Sequence, residues 1–245
     1  MALAGFESKY CVYAAGVSNS SENNPQNFER DIRRLESQLD NAEQKMVYFS
    51  SQMVETQCQP YYLHKLKIES LIKQRSPESL IIRLPQLIYY KHGAPSLIPS
   101  ICDHIIYNSH RFSLKPGVKR SLVSLDDLSS FVKYLTSDRL DQVQGPFIFS
   151  PPFPISVETI YNVCRESISC LGRPGCGRVE ELIESRVDSM DNFSLDSKNS
   201  IYKNWFSEKI GIPTERNIVQ HQLLEIKKMV ASTIVAPKNI RKGYE

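Results

Sequence analysis

Val47-Tyr48-Phe49-Ser50-Ser51, followed after a short loop by Pro60-Tyr61-Tyr62-Leu63-His64-Lys65, is the stretch on which the reading of this chain turns. The apolar run at 46–49 predicts a buried strand that ends in the serine pair. Pro60 suits a first helical turn, and a helix is expected over 61–74. Residues 80–84 read as the next strand, stopped by Pro85. Upstream, the apolar run 11–15 predicts a strand with a sharp exit at Gly16. A polar loop at 18–24 follows, and Pro25 opens a helix. Phe28, Ile32, Leu35 and Leu39 recur there at helical spacing, so one face is expected to be buried. Strand, helix, strand, helix, strand is the pattern of a parallel sheet with crossover helices.

Tyr61 and Lys65 lie four apart on the expected helix and share a face. A phenol with a pKa near ~10 is a poor base at neutral pH. An adjacent ammonium favours the phenolate, and such a tyrosine can exchange a proton with a substrate hydroxyl. Ser51, just past a strand end, is placed to hydrogen-bond a reacting oxygen, with Ser50 as the fallback. Taken alone, Tyr-x-x-x-Lys is a weak motif with frequent chance matches. The bland readings are a surface pair on the helix and a serine pair capping the strand.

In order and content these pieces resemble the extended short-chain dehydrogenase/reductase family, also called the NAD-dependent epimerase/dehydratase family. Val12-Tyr13-Ala14-Ala15-Gly16 looks like the family strand whose end lines the cofactor. Val47–Ser51 with Val54 looks like the strand bearing the catalytic serine or threonine, and residues 60–69 like the active-site helix. Ile82-Arg83-Leu84-Pro85-Gln86 looks like the strand that touches the nicotinamide end and substrate. Ser121-Leu122-Val123-Ser124-Leu125-Asp126-Asp127-Leu128 looks like a strand and helix of the substrate domain. The resemblance spans residues 10 to 170 or so.

It implies a Rossmann-like α/β fold: a parallel sheet with helices on both faces, N-terminally truncated, plus a smaller mixed substrate-binding region. Tyr61 would be the general acid/base. Lys65 would lower its pKa and hold the nicotinamide ribose, and Ser51 would orient the sugar oxygen. Ala14, Ala15, Gly16, Leu84 and Pro85 would border the cofactor, NAD or NADP. Gln86 would border the sugar, and Arg120 would approach a nucleotide phosphate; its bland reading is a surface arginine. The implied partners are a nucleotide-sugar substrate and a second copy of the chain, docked through the helices at 25–40 and 60–75. Polysaccharide biosynthesis is the expected setting.

The chain departs from the family in the short loop between Ser51 and Tyr61, which is why Ser50 is kept as the fallback, and above all at its N-terminal end. A dinucleotide fold opens with a strand, a Gly-x-Gly-x-x-Gly turn and a helix, so that backbone amides reach the pyrophosphate. Only ten residues precede Cys11, and Gly5 is their sole glycine. The glycine-rich stretch 172–177 follows a helix, contains Pro174, and reads as a loop. Either residues 1–6 are the remnant of a helix and the start lies upstream, or dinucleotide binding has been lost. The first is favoured because the serine, tyrosine and lysine all stay in register. The second would leave a catalytically silent sugar-binding or regulatory protein. A third reading, an unrelated α/β domain with a chance Tyr61–Lys65 pair, predicts Tyr61 and Ser51 far apart.

Beyond residue 90 prolines and glycines become frequent and the signals shorten, so a boundary is expected there. Residues 1–90 would form the sheet half with the catalytic residues, and 91–245 mainly the substrate-binding and lid region, with room for elements that return to the sheet. Expected elements are strands at 120–124 and 146–150, a helix over 126–134, and a helix capped by Ser156 running to about 171. A net charge of +3 over 245 residues gives no basic stripe, and the basic run 238–242 reads as a solvated tail, so nucleic acid is not an expected partner. With 41% hydrophobic residues a sizeable core is available. Among the six cysteines no Cys-x-x-Cys pair or zinc-type spacing occurs, so no metal site is expected. Reduced thiols, the lack of a signal peptide and the lack of a membrane-length apolar run point to a cytoplasmic protein.

Overall fold

The computed structural model describes residues 10–14, 16–41, 45–110, 112–136, 145–171, 178–187 and 200–234. Ala15, the glycine-rich loop at 172–177, residues 1–6 and the tail at 238–242 lie outside the described residues. Along the chain the first elements are β1 (Tyr10–Tyr13), α1 (Pro25–Asn41), β2 (Lys45–Ser51), α2 (Pro60–Arg75), β3 (Leu80–Leu84) and β4 (Gln86–Ile88). Next come α3 (Leu97–Tyr107), β5 (Lys119–Arg120), β6 (Leu122–Ser124), α4 (Leu125–Thr136) and β7 (Phe147–Ile148). The series closes with β8 (Ile155–Ser156), α5 (Val157–Ser169), α6 (Arg178–Val187), α7 (Ser200–Lys209) and α8 (Glu215–Thr233).

Two compact units result. The first takes Met1–Pro85 and Lys133–Phe149, the second Gln86–Val132 and Ser150–Glu245. The first is built on a parallel sheet of order β1-β2-β3-β7. Parallel neighbours need a crossover, and α1 and α2 supply it. Both pack on one face of the sheet, where Tyr13, Met46, Tyr48 and Ile81 meet Leu35, Ile68 and Ile72. Val47 and Ile82, at the alternate positions of β2 and β3, are buried as well, so both faces of these strands are covered. Leu35, Ile68 and Ile72 lose all exposure, and each such side chain stabilises by about 1.5–3 kcal/mol. The α/β sheet expected from the sequence is therefore present, and a smaller mixed region accompanies it.

Proline 85 decides where the main sheet stops. Leu84 still takes part, its carbonyl accepting from Gln52 N at 3.0 Å. Pro85 has no N–H to continue the ladder. The next residues, β4, pair in parallel with β6 instead, inside the second unit. The expected single strand at 120–124 is two short ones, because β5 pairs antiparallel with β8 while β6 pairs with β4. The core of the second unit runs from Ile98, Ile101 and Cys102 of α3 through Ile160 and Val163 of α5 to Leu223 and Ile226 of α8. Ser156 caps α5 as expected, its side chain accepting from Thr159 N.

Cys11, Cys58, Cys102 and Cys164 are free thiols. Cys170 is disulfide-bonded, so the expectation of uniformly reduced cysteines does not hold there. Among the described residues no helix is long and apolar enough to cross a membrane.

Candidate active site

Strand ends in a parallel α/β sheet gather functional groups on one edge. Ser51 closes β2 and pairs in register with Leu84 at the end of β3. Ala14 follows the last residue of β1 and is exposed; Gly16, two residues on, is half-buried. Ser51, Leu84, Ala14 and Gly16 thus follow or close adjacent parallel strands. Ser51 Oγ accepts from Met53 N at 3.2 Å, which turns the chain away from the sheet. Beneath it Ser50 Oγ is buried with no hydrogen-bond partner, as is Tyr48 Oη.

Helix α2 brings up the other half. Its buried stripe is Tyr61, His64, Lys65, Ile68, Glu69 and Ile72, a helical periodicity with four ionisable side chains in it. Lys65, Glu69 and His64 each have a polar partner. Lys65 Nζ donates to the carbonyl of Phe49 at 3.3 Å and sits 4.9 Å from the Tyr48 ring centre. The same nitrogen is 5.7 Å from the Tyr61 ring centre. Lysine 65 therefore joins the end of β2, two residues before Ser51, to the tyrosine one turn earlier on α2. Glu69 takes two parallel hydrogen bonds from Arg83 of β3, at 3.0 and 2.8 Å, and Arg83 also pairs with Glu55. His64 contacts Asp31 of α1 at 2.7 Å.

The electrostatics run against simple expectation at Tyr61. Burial pushes its pKa up to about 12, and neighbouring Tyr62 and Asp31 add to the rise. Burial also brings Lys65 down to about 8, although Asp31 and Glu69 oppose that drop. Both groups are penalised for carrying charge in the same poorly solvated corner. At neutral pH the phenol is protonated and the lysine is mostly charged.

Gln86 and Arg120 belong to the second unit. Gln86 is half-buried on β4, its amide donating to Leu87 O at 3.2 Å. Arg120 is exposed on β5, and its guanidinium donates to Lys119 O at 2.8 Å. Asp31, His64, Glu69 and Arg83 were not singled out from sequence. Their signal was present on α2, where His64, Lys65 and Glu69 interrupt an otherwise apolar stripe. No group of three His, Cys, Asp or Glu among the described residues is arranged to hold a metal ion.

No model of a known protein family matches the chain, and no curated protein matches it. Solved structures do. UDP-glucose 4-epimerase of Thermus thermophilus, in complex with NAD, aligns at a TM-score of 0.54 and 12% identity over 89% of this chain and 78% of that one. UDP-glucuronic acid 4-epimerase from Bacillus cereus, also in complex with NAD, aligns at 0.51 and 12% over 83% and 74%. The likeness is one of fold. At these identities it establishes a Rossmann-type α/β sheet for this chain. RMD from Pseudomonas aeruginosa, complexed with NADPH, matches at 0.46 and 16% over 63% of this chain, and the chain spans 65% of that structure's length, just under two thirds.

Proposed function

We propose that this protein is an NAD(P)-dependent oxidoreductase of the epimerase, dehydratase or reductase type, acting on a nucleotide sugar in polysaccharide biosynthesis. The observation that carries the reading is the placing of Lys65 Nζ, bonded to the end of the Ser51 strand and 5.7 Å from the Tyr61 ring. Likenesses in fold to two nucleotide-sugar epimerases in complex with NAD support the class.

The residues at the strand ends fit the nicotinamide end of a dinucleotide. Lys65 uses one hydrogen bond on Phe49 O, which leaves ammonium donors for a vicinal diol such as a ribose. Exposed Ala14 adds little bulk at the neighbouring strand end. The chain contains no Gly-x-Gly-x-x-Gly stretch for the pyrophosphate. When bound, the nicotinamide supplies hydride chemistry at a sugar carbon. Tyr61 gives a proton to the oxygen on that carbon or takes one from it. Lys65, as a cation, stabilises the phenolate left after proton donation. Ser51 orients the same oxygen. Leu84 and Pro85 border the cofactor, while Gln86 and Arg120 contact the substrate. A tyrosine at about 12 starts protonated, so proton donation to a keto oxygen is its easier direction. The half-exposed Leu63 on α2 supports docking of a second copy through α1 and α2. A cytoplasmic setting completes the proposal.

A catalytically silent sugar-binding protein is the second reading, favoured by the upward rather than downward shift at Tyr61. Calorimetry with NAD(H) and NADP(H), on this chain and on one extended to the next upstream start codon, separates the two. Binding, together with loss of turnover but retained affinity in Tyr61→Phe, is the expected result. No binding by either form sinks the oxidoreductase reading.

A further inference from the structure

Asp31 is an acid placed where an apolar residue would be ordinary. Its side chain is 3% exposed, on the face of α1 that also buries Leu35. Burying a carboxylate costs several kcal/mol unless hydrogen bonds satisfy it. Three groups do so, and each comes from a different part of the first unit. Tyr13 Oη of β1 donates to Oδ1 at 2.9 Å. The backbone N–H of Val17, in the turn after β1, donates to Oδ2 at 3.1 Å. His64 Nε2 of α2 contacts the same oxygen at 2.7 Å. Burial works to raise the acid's pKa, but the bonds from His64, Val17 and Tyr13 and the charge of His64 together hold it below the ordinary value.

The approach at the turn is close. A Cβ added at Gly16 would lie 3.2 Å from Asp31 Oδ2, tighter than ordinary packing, so this glycine is what lets the turn settle on the carboxylate. His64 is held on its other side as well, stacked on Phe28 at 4.7 Å between ring centres. It is 3% exposed and stands between Tyr61 and Lys65 on one helix stripe. A rotation or slide of α2 that moved Tyr61 or Lys65 would have to break the His64–Asp31 contact.

We infer that Asp31, through His64 and the Val17 amide, is a positioning residue that locks the helix bearing Tyr61 and Lys65 to the turn at the end of β1. The inference rests on the functional reading above, since those two elements are the walls of the proposed nicotinamide site. Asp31 touches neither Tyr61 nor Lys65 by hydrogen bond. It acts through His64, and its charge raises the pKa of both reacting groups from a distance. Other ionisable groups around it are Tyr13, Tyr48, Glu69 and Arg34. A buried apolar pair would hold α1 against α2 equally well, but it would leave the Val17 N–H unpaired. The carboxylate is what joins the turn to the helix.

The test uses His64→Leu, which cuts the tie and keeps an apolar filler, and His64→Gln, whose amide can still donate to Asp31. Asp31→Asn serves as a second variant. Its oxygen can accept from Val17 and His64 while its NH₂ donates to Tyr13 Oη, so the fold is kept and only the charge is lost. Hydrogen exchange reads the lock directly, and calorimetry with the dinucleotide, on whichever form of the chain binds it, reads its consequence. His64→Leu is expected to speed exchange at residues 16–18 and in the first two turns of α2. It should also weaken dinucleotide binding by about tenfold or more, as small misplacements at reaction centres do. His64→Gln should restore both. Unchanged exchange in His64→Leu overturns the lock. Wild-type binding with undiminished affinity in His64→Leu overturns its role at the site. Absence of binding by the wild-type protein overturns the functional reading itself, and with it the inference.

Discussion

Replacing Lys65 by methionine tests the electrostatics of the buried corner. The lysine is 6% exposed, and burial takes its pKa from 10.5 to about 8. That drop corresponds to about 3 kcal/mol of cost for keeping the side chain charged in the folded state. Its hydrogen bond to Phe49 O offsets about 1 kcal/mol of it. Methionine keeps the length of the stem and carries no charge. At pH 7 the Lys65→Met protein is therefore expected to be more stable than wild type by about 2 kcal/mol. The pH dependence is the sharper readout. A base whose folded pKa is lowered binds fewer protons folded than unfolded between about 8 and 10.5, so its contribution to stability rises with pH across that window and is flat below it. Relative to Lys65→Met, the wild-type protein should gain about 2 kcal/mol between pH 7 and pH 10. Tyr61, raised by the same burial, begins to lower stability only above its unfolded value near pH ~10, and it is common to both proteins. Urea denaturation followed by circular dichroism at the two pH values measures the gap. A gap that stays constant, or that widens in favour of methionine, refutes the account of Lys65 as a lysine strained by burial.

Removing Glu69 leaves the Arg83 guanidinium, 8% exposed, without its two-pronged partner; Glu69→Ala should cost about 3–5 kcal/mol in urea denaturation, with Glu69→Gln milder. Trp205 is the single tryptophan and is 1% exposed, so native emission should be blue-shifted, and Trp205→Ala should lower stability by about 3–5 kcal/mol. Exposed Cys58 should react promptly with Ellman's reagent in the native protein. Cys102 and Cys164, both fully buried, should react only on unfolding, since mutual hydrogen bonding and burial hold the Cys164 thiol far above its usual range.

The first unit was legible because its elements are long, periodic and separated by proline. Pro25 and Pro60 open α1 and α2, Pro85 ends β3, and the observed bounds fall close to the expected ones. The second unit was legible only in part: α4 and α5 fall close to the expected bounds, while α3 and α8 carry signals that local pattern does not explain. Helix α3 contains Pro99, tolerated because it falls in the first turn, where no helical N–H is needed. Helix α8 is the longest after the first unit, yet its buried face includes Gln222 and Glu225. Gln222 is held there by accepting from Leu122 N and donating to Phe153 O, partners 100 and 69 residues away, which no local pattern announces.

The candidate site divides in the same way. Sequence alone determined that Tyr61 and Lys65 share a helix face and that Ser51 ends a strand, because helical and strand periods are local properties of the backbone. Tertiary structure decided what surrounds them: that Lys65 bonds the end of β2, that Arg83 meets Glu69, and that Asp31 gathers Tyr13, Val17 and His64. Those contacts join residues far apart in the chain, and the solvent exclusion that sets the charge states of Tyr61 and Lys65 exists only once the helices have closed over the sheet.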